Sequence, residues 1–209
     1  MDGENTTRAF ARSLAALKRQ GCSLLITGPV RDGSHLRLSR RLLGDIDTDR
    51  RWRVIVATDT EGIETRCPKR AETHRYRIID RRPAIRSSAV CARSSRVDLG
   101  RVARDVSVTI DEFDSDANGL APGELRLCVD SLQPLLDTHR SGTITQFIDR
   151  TTERVHETKG MGHFHLPVDP ERTIVSTLID RFDVHVELRG GKHRWHLLDD
   201  DIQTGWLRI

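Results

Sequence analysis

Two glycines five residues apart close the first apolar run of the chain. Ser23-Leu24-Leu25-Ile26-Thr27 leads into Gly28-Pro29-Val30-Arg31-Asp32-Gly33-Ser34-His35, and a helical pattern then resumes through Leu36, Leu38, Leu42 and Leu43. A strand, a glycine-framed loop and a helix in that order wrap an anion with backbone N–H groups, while the helix points its positive end at the same spot. The phosphate-binding pattern of this kind reads G-x-x-x-x-G-K-[ST]. Here Ser34 stands where the lysine belongs and His35 where the magnesium-binding hydroxyl belongs. A serine offers a hydrogen bond but no charge to a transferring phosphoryl group, and imidazole is a poor ligand for a hard, oxygen-seeking cation. Each lost charge-stabilising group costs on the order of 10²–10³ in rate. Gly28, Pro29, Gly33, Ser34 and His35 therefore read as a nucleotide-binding loop without efficient hydrolysis.

Other residues carry chemistry of their own. Leu125-Arg126-Leu127-Cys128-Val129 delivers Asp130, followed by Ser131-Leu132. A hydrophobic strand ending in an acid is the form that steers magnesium beside a phosphate loop, although an acid also simply ends a strand. His163 and His165 alternate on one face of an extended segment and so are a potential metal pair. No third ligand stands at local spacing; only an approach in space by His185, His193 or His196 would supply one, and hydrogen bonding is the expected role for the histidines. Ser131 lacks the G-x-S-x-G elbow of a hydrolase nucleophile. Cys22, Cys67, Cys91 and Cys128 form no C-x-x-C pair and read as free thiols in a reducing compartment; Cys22 and Cys128, in or beside apolar runs, read as buried small hydrophobes.

These residues need a frame. The helical segments are 5–20 (with Phe10, Leu14 and Leu17 inward), 34–44, 97–113, 142–158 and 171–182, the last with Ile174, Leu178 and Ile179 buried. Strands are expected at 23–27, 52–58, 76–80, 125–131, 162–167, 184–188, 194–198 and 205–209, with a hairpin turn at Gly190-Gly191. Segments 59–75 and 81–96 read as exposed loops or short helices. Alternating strands and helices imply an α/β fold: a mainly parallel sheet with helices on both faces and an antiparallel C-terminal tail. One domain, 1–209, is expected, with an N-terminal helix over 1–21 and the core from 22 onward. No apolar run reaches membrane-spanning length and the N-terminus lacks a secretory apolar region, so the cytoplasm is the expected location.

Charge is uneven. Residues 66–104 carry twelve Lys/Arg against three Asp/Glu, and residues 105–209 carry eleven against nineteen. Arg75, Arg77, Arg81 and Arg82 in the basic stretch would suit a nucleic-acid backbone or an acidic partner, but Tyr76 is its one aromatic and no stacking series exists.

The segments SLLITGPVRDGSHLRLSRRLLG, WRVIVATDTEG, ELRLCVDSLQPLL, GMGHFHLPVD, FDVHVELR and RWHLLDDDIQTGWLRI resemble the RecA/KaiC-like P-loop ATPases, and most closely the degenerate KaiC-like proteins of haloarchaea. The resemblance implies a RecA-like sheet and ATP or ADP with magnesium as ligand. It places a water-activating acid at Asp59, with Asp130 on the magnesium. With the loop altered, it implies a non-catalytic regulatory or signalling domain that retains weak nucleotide binding and works through a protein partner or a homo-oligomer. Two alternatives stay open: an ATPase completed by a basic residue supplied in trans, and a binding module for nucleic acid or an acidic partner using residues 66–104.

Overall fold

The computed structural model describes residues 2–29, 33–45, 50–59, 74–82 and 97–209, with side chains from Arg8 onward. Much of the basic stretch, 66–73 and 83–96, lies outside the described residues, Cys67 and Cys91 with it, as do most of the segments read as loops.

The chain runs α1 (Asp2–Gln20), β1 (Cys22–Thr27), α2 (Ser34–Leu43), β2 (Trp52–Ala57), β3 (Tyr76–Asp80), α3 (Leu99–Ala117), β4 (Leu125–Val129), α4 (Gln133–Thr138), α5 (Ser141–Glu157), β5 (Met161–Leu166), α6 (Thr173–Leu178) and a 3₁₀ turn (Ile179–Arg181). It closes with β6 (Val184–Arg189), β7 (Lys192–Leu197), β8 (Ile202–Gln203) and β9 (Leu207–Arg208). The sheet order is β3-β2-β4-β5-β1-β6-β7-β8, with β9 also against β7. Strands β3 through β6 are parallel, and β7 with its neighbours is antiparallel. The expected α/β architecture, mainly parallel with an antiparallel tail, is the one observed.

The central strands are buried from end to end, as parallel strands covered on both faces must be. On one face α3, α5 and α6 pack over Val54, Val56, Leu127, Val129 and Phe164. On the other, α1 and α2 cover Leu24, Ile26, Met161, Val184 and Val186 through Phe10, Leu14, Leu17 and Leu38. The inward residues of α3 follow its expected stripe: Leu99, Val102, Val106 and Ile110. In α6 the buried pair is Val175 and Leu178, while Ile174 and Ile179 are only partly covered. The helix begins two residues later than expected and continues into the 3₁₀ segment. Pro134 opens a short helix, its missing N–H falling where no helical partner exists. Of the strand expected at 205–209 only Leu207–Arg208 (β9) forms, and a further short strand, β8, precedes it at Ile202–Gln203; both pair with β7.

Asp183 fastens the N-terminal edge of the sheet. Its Oδ2 accepts from the Ser23 N–H (2.6 Å), the Ser23 hydroxyl (2.8 Å) and His156 Nε2 (2.8 Å), joining β1, β6 and the end of α5. The hydrogen bond to Asp183 raises the His156 pKa despite partial burial. Burial alone would raise Asp183, but the bonds from His156 and Ser23 outweigh it and hold the carboxyl below its ordinary range. Stability from the raised imidazole is full below 6.5 and is lost as pH rises through its folded pKa; stability from the lowered carboxylate is full above 3.8 and is lost as pH falls through its own. Both contributions are complete between those two values. Replacing His156 by Gln should therefore narrow the stability gap from wild type as pH goes from about 5.5 to about 8.5, measured by urea unfolding. Buried His185 and His193, whose pKa values are lowered, are present in both chains and cancel in the difference. A gap that does not change with pH would contradict the pairing.

Candidate functional site

The loop after β1 opens at the carboxyl edge of the sheet. From β1 the chain leaves through α2 toward β2 on one side, while β5 is followed by α6 and β6 on the other. A strand where connections diverge in this way is the topological switch point at which open α/β sheets bind ligands. A cavity of about 290 Å³ between α1 and α2, lined by Phe10, Leu38 and Trp195 with Arg41 and Arg126, lies instead toward the strand starts.

The two glycines are required by different geometry. Gly28 has φ 125°, and a Cβ there would sit 2.3 Å from the Leu188 carbonyl oxygen on β6. Gly33 has φ 67°, and among the described residues a Cβ there would meet only the Arg37 guanidinium, at 3.4 Å. Between them the loop joins a central strand to a ten-residue helix, as the spacing predicted. Residues 30–32 lie outside the described residues.

The side chains after the loop part company. Ser34 is fully buried and its hydroxyl accepts from Arg37 Nη2 at 3.2 Å. Arg37, one turn on and exposed, thus folds its charge back over the helix N-terminus. His35 turns inward, 5% exposed. Its Nε2 lies 2.9 Å from the Gly28 carbonyl oxygen and its Nδ1 lies 2.8 Å from His165 Nδ1. A carbonyl only accepts, so His35 Nε2 carries a proton; in the neutral ring Nδ1 then accepts, and His165 Nδ1–H donates. The relay runs His165 to His35 to Gly28. The residue at the magnesium position of the phosphate pattern is committed to the core.

The other end of α2 is held as firmly. Arg53 on β2, 2% exposed, donates from Nε to the Leu43 carbonyl (2.9 Å), from Nη2 to Asp45 (2.9 Å) and from Nη1 to Arg51 (2.8 Å). A guanidinium on the last carbonyls of a helix satisfies groups that lack intrahelical partners and faces the negative end of the dipole. Nothing in the sequence pattern singled out Arg53; its one signal was an arginine inside an otherwise apolar strand.

Asp130 is placed at the same carboxyl edge, with β5 between its strand and β1. It is 2% exposed, and its Oδ1 accepts both the Thr58 N–H (2.8 Å) and the Thr58 hydroxyl (2.7 Å). That hydroxyl also touches the Ser131 carbonyl, and its single proton serves one acceptor at a time. Oδ2 lies 3.4 Å from the Asp59 N–H, a weak contact. Asp130 thus brackets the end of β2, and Asp59 follows, half-buried, beside it. Ser131 is buried with its hydroxyl toward the Gln133 N–H.

The histidine pair finds neighbours that spacing along the chain did not reveal. On the α2 face of the sheet, Cys128 on β4 is in register with His163 on β5. Ser39 Oγ lies 3.1 Å from His163 Nε2 and 3.4 Å from Cys128 Sγ. One ligand atom from each of Cys128, His163 and His165 lies within 4.8 Å of the others, all three residues being buried. His185 points to the opposite face, bonded to Thr27 Oγ1 at 2.8 Å; His193 accepts from the Trp195 indole; His196 pairs with Asp201. All three are hydrogen-bonded, as expected, and none joins the pair. Cys128 also departs from the plain apolar role expected of it, whereas Cys22 keeps that role: burial and nearby Asp183 push its thiol up to about 12.

The four arginines singled out in the basic stretch face this chain's own groups. Arg75 lies over the Trp52 ring and Arg77 over Phe113, while Arg81 pairs with Asp105 and Arg82 with Asp80.

Fold and site together define an α/β domain with a glycine-framed strand-to-helix loop at its switch point. Residues 21–188, most of the chain, match the model of a family described as "Family of unknown function (DUF7504)", and the chain belongs to that family. No curated protein matches it. No helix among the described residues is long and apolar enough to cross a membrane.

Gly28→Ala should cost about 3 kcal/mol of stability, from positive φ and a clash with backbone that cannot move alone; Gly33→Ala should cost about 1 kcal/mol, from the left-handed backbone only. Urea unfolding followed by far-UV circular dichroism measures both. Equal losses would contradict the close approach of Gly28 to β6.

Proposed function

We propose that this chain is a degenerate RecA/KaiC-like domain that binds nucleotide phosphates weakly through the loop from Gly28 to His35, does not hydrolyse them, and acts in regulation or signalling through a partner. The observation that carries this reading is the pairing of a helix N-terminus at the switch point with a His35 turned away from it. Backbone N–H groups and a helix dipole suffice to hold an anion. Arg37, against Ser34, supplies positive charge near the position the lysine would occupy, but from an exposed side chain. Magnesium would find an imidazole already engaged and an Asp130 whose Oδ1 already accepts twice. Binding without metal-assisted transfer follows from those commitments.

Calorimetric titration with ATP and ADP tests this. The expected result is weak binding that changes by less than about threefold when magnesium is added, weakens roughly tenfold in Arg37→Ala through loss of a charge-assisted contact, and gives no phosphate release. Magnesium-dependent hydrolysis that Asp130→Asn abolishes, or that rises per chain with protein concentration, would instead make this an ATPase. No binding of either nucleotide would remove the phosphate-receptor reading altogether.

A further inference from the structure

We infer that Cys128, His163 and His165 form a structural zinc site beneath α2. Three strands of argument converge on it. The residues come from adjacent strands in fixed register, so backbone hydrogen bonding, and not loop conformation, sets their spacing. Their ligand atoms lie within 4.8 Å of one another, while tetrahedral zinc needs sulfur and nitrogen about 3.3–3.6 Å apart. Closing that gap takes a shift of roughly 1 Å, which χ rotations supply without moving the sheet. The donor set of one thiolate and two imidazoles is borderline-soft, which suits zinc and disfavours magnesium or calcium.

The surroundings match what a metal-bound histidine needs. His165 uses Nδ1 toward His35, so Nε2 is the nitrogen that would take a metal. His35 then fixes the tautomer of His165 and is itself fixed by the Gly28 carbonyl, the outer-shell arrangement that orients imidazole ligands. His35 is a positioning residue in this site and not a ligand. Ser39 Oγ lies against both the sulfur and His163. Burial of all three ligands makes the site closed, which fits a structural role. On binding, Cys128 loses its proton to solvent and the thiolate takes the metal.

The outer shell shares His35 and the Gly28 carbonyl with the loop, but metal uptake is read without any nucleotide. Full-length chain, stripped with a chelator, is titrated with zinc and, separately, with cobalt. One metal per chain is expected, with a thiolate-to-cobalt charge-transfer band. Cys128→Ser should abolish the band, and His163→Ala should weaken zinc binding by about tenfold or more. His185→Ala, on the opposite face of the sheet, should leave zinc affinity within about twofold. His35→Ala should weaken binding several-fold while preserving the cobalt spectrum. Should the serine variant fail to fold, X-ray absorption at the zinc edge of the wild-type chain decides: one sulfur at about 2.3 Å and two imidazole nitrogens at about 2.0–2.1 Å are expected. No metal uptake by the folded wild type, a charge-transfer band that survives Cys128→Ser, or a first shell without sulfur would overturn the assignment.

Discussion

The proton between His35 and the Gly28 carbonyl, and the one between His165 and His35, hold the first turn of α2 against β1 and β5. These groups are buried, and in a low-dielectric interior a polar atom left without its partner costs about 1–3 kcal/mol. The first turn of the helix is therefore seated where both hydrogen bonds are made, and the loop from residue 28 to 33 must span whatever gap that seating leaves. Arg53 performs the same service at the far end of the helix. With both ends fixed by side chains from the sheet, α2 needs little from its own sequence beyond Leu38 and Leu43 facing inward.

That seating decides the chemistry at the carboxyl edge. A helix aimed at the switch point offers an anion its N–H groups and its dipole regardless of which side chains follow. Catalysis asks for more: a charge, a hydroxyl and an available acid. Ser34, His35 and Asp130 occupy the corresponding places, and each is engaged in structure: the serine with Arg37, the histidine in the relay, the acid at the end of β2. On the proposed reading, shape is kept while the side chains at the bond-breaking positions serve folding, a division of labour that a receptor tolerates and an ATPase does not.

Local pattern carried most of the frame. The apolar runs at Leu24–Ile26, Val54–Ala57 and Leu127–Val129 are short and bounded by polar residues, and each is a buried strand. The glycine pair announced a strand-to-helix loop because few residues other than glycine accept the φ values found at Gly28 and Gly33. What escaped was information between strands. Alternation shows that His163 and His165 share a face, but the partner across β4 is set by register, and register places Cys128 there and sends His185 to the other side. Likewise His35 was read by its place in a motif, which supposes that its side chain points at the ligand; a sheet histidine 130 positions later in the chain pulls it the opposite way. In α6 Leu178 faces inward as expected, while the second fully buried position is Val175, with Ile174 and Ile179 only partly covered.

The relay itself is open to direct observation. Long-range ¹⁵N–¹H correlation spectra of the histidine rings, recorded on metal-free chain at neutral pH, report which nitrogen of each imidazole bears the proton. A neutral His35 protonated at Nε2 beside a neutral His165 protonated at Nδ1 is the predicted pattern. A His35 ring that titrates like a solvent-exposed imidazole, or a His165 protonated only at Nε2, would contradict the account at its root.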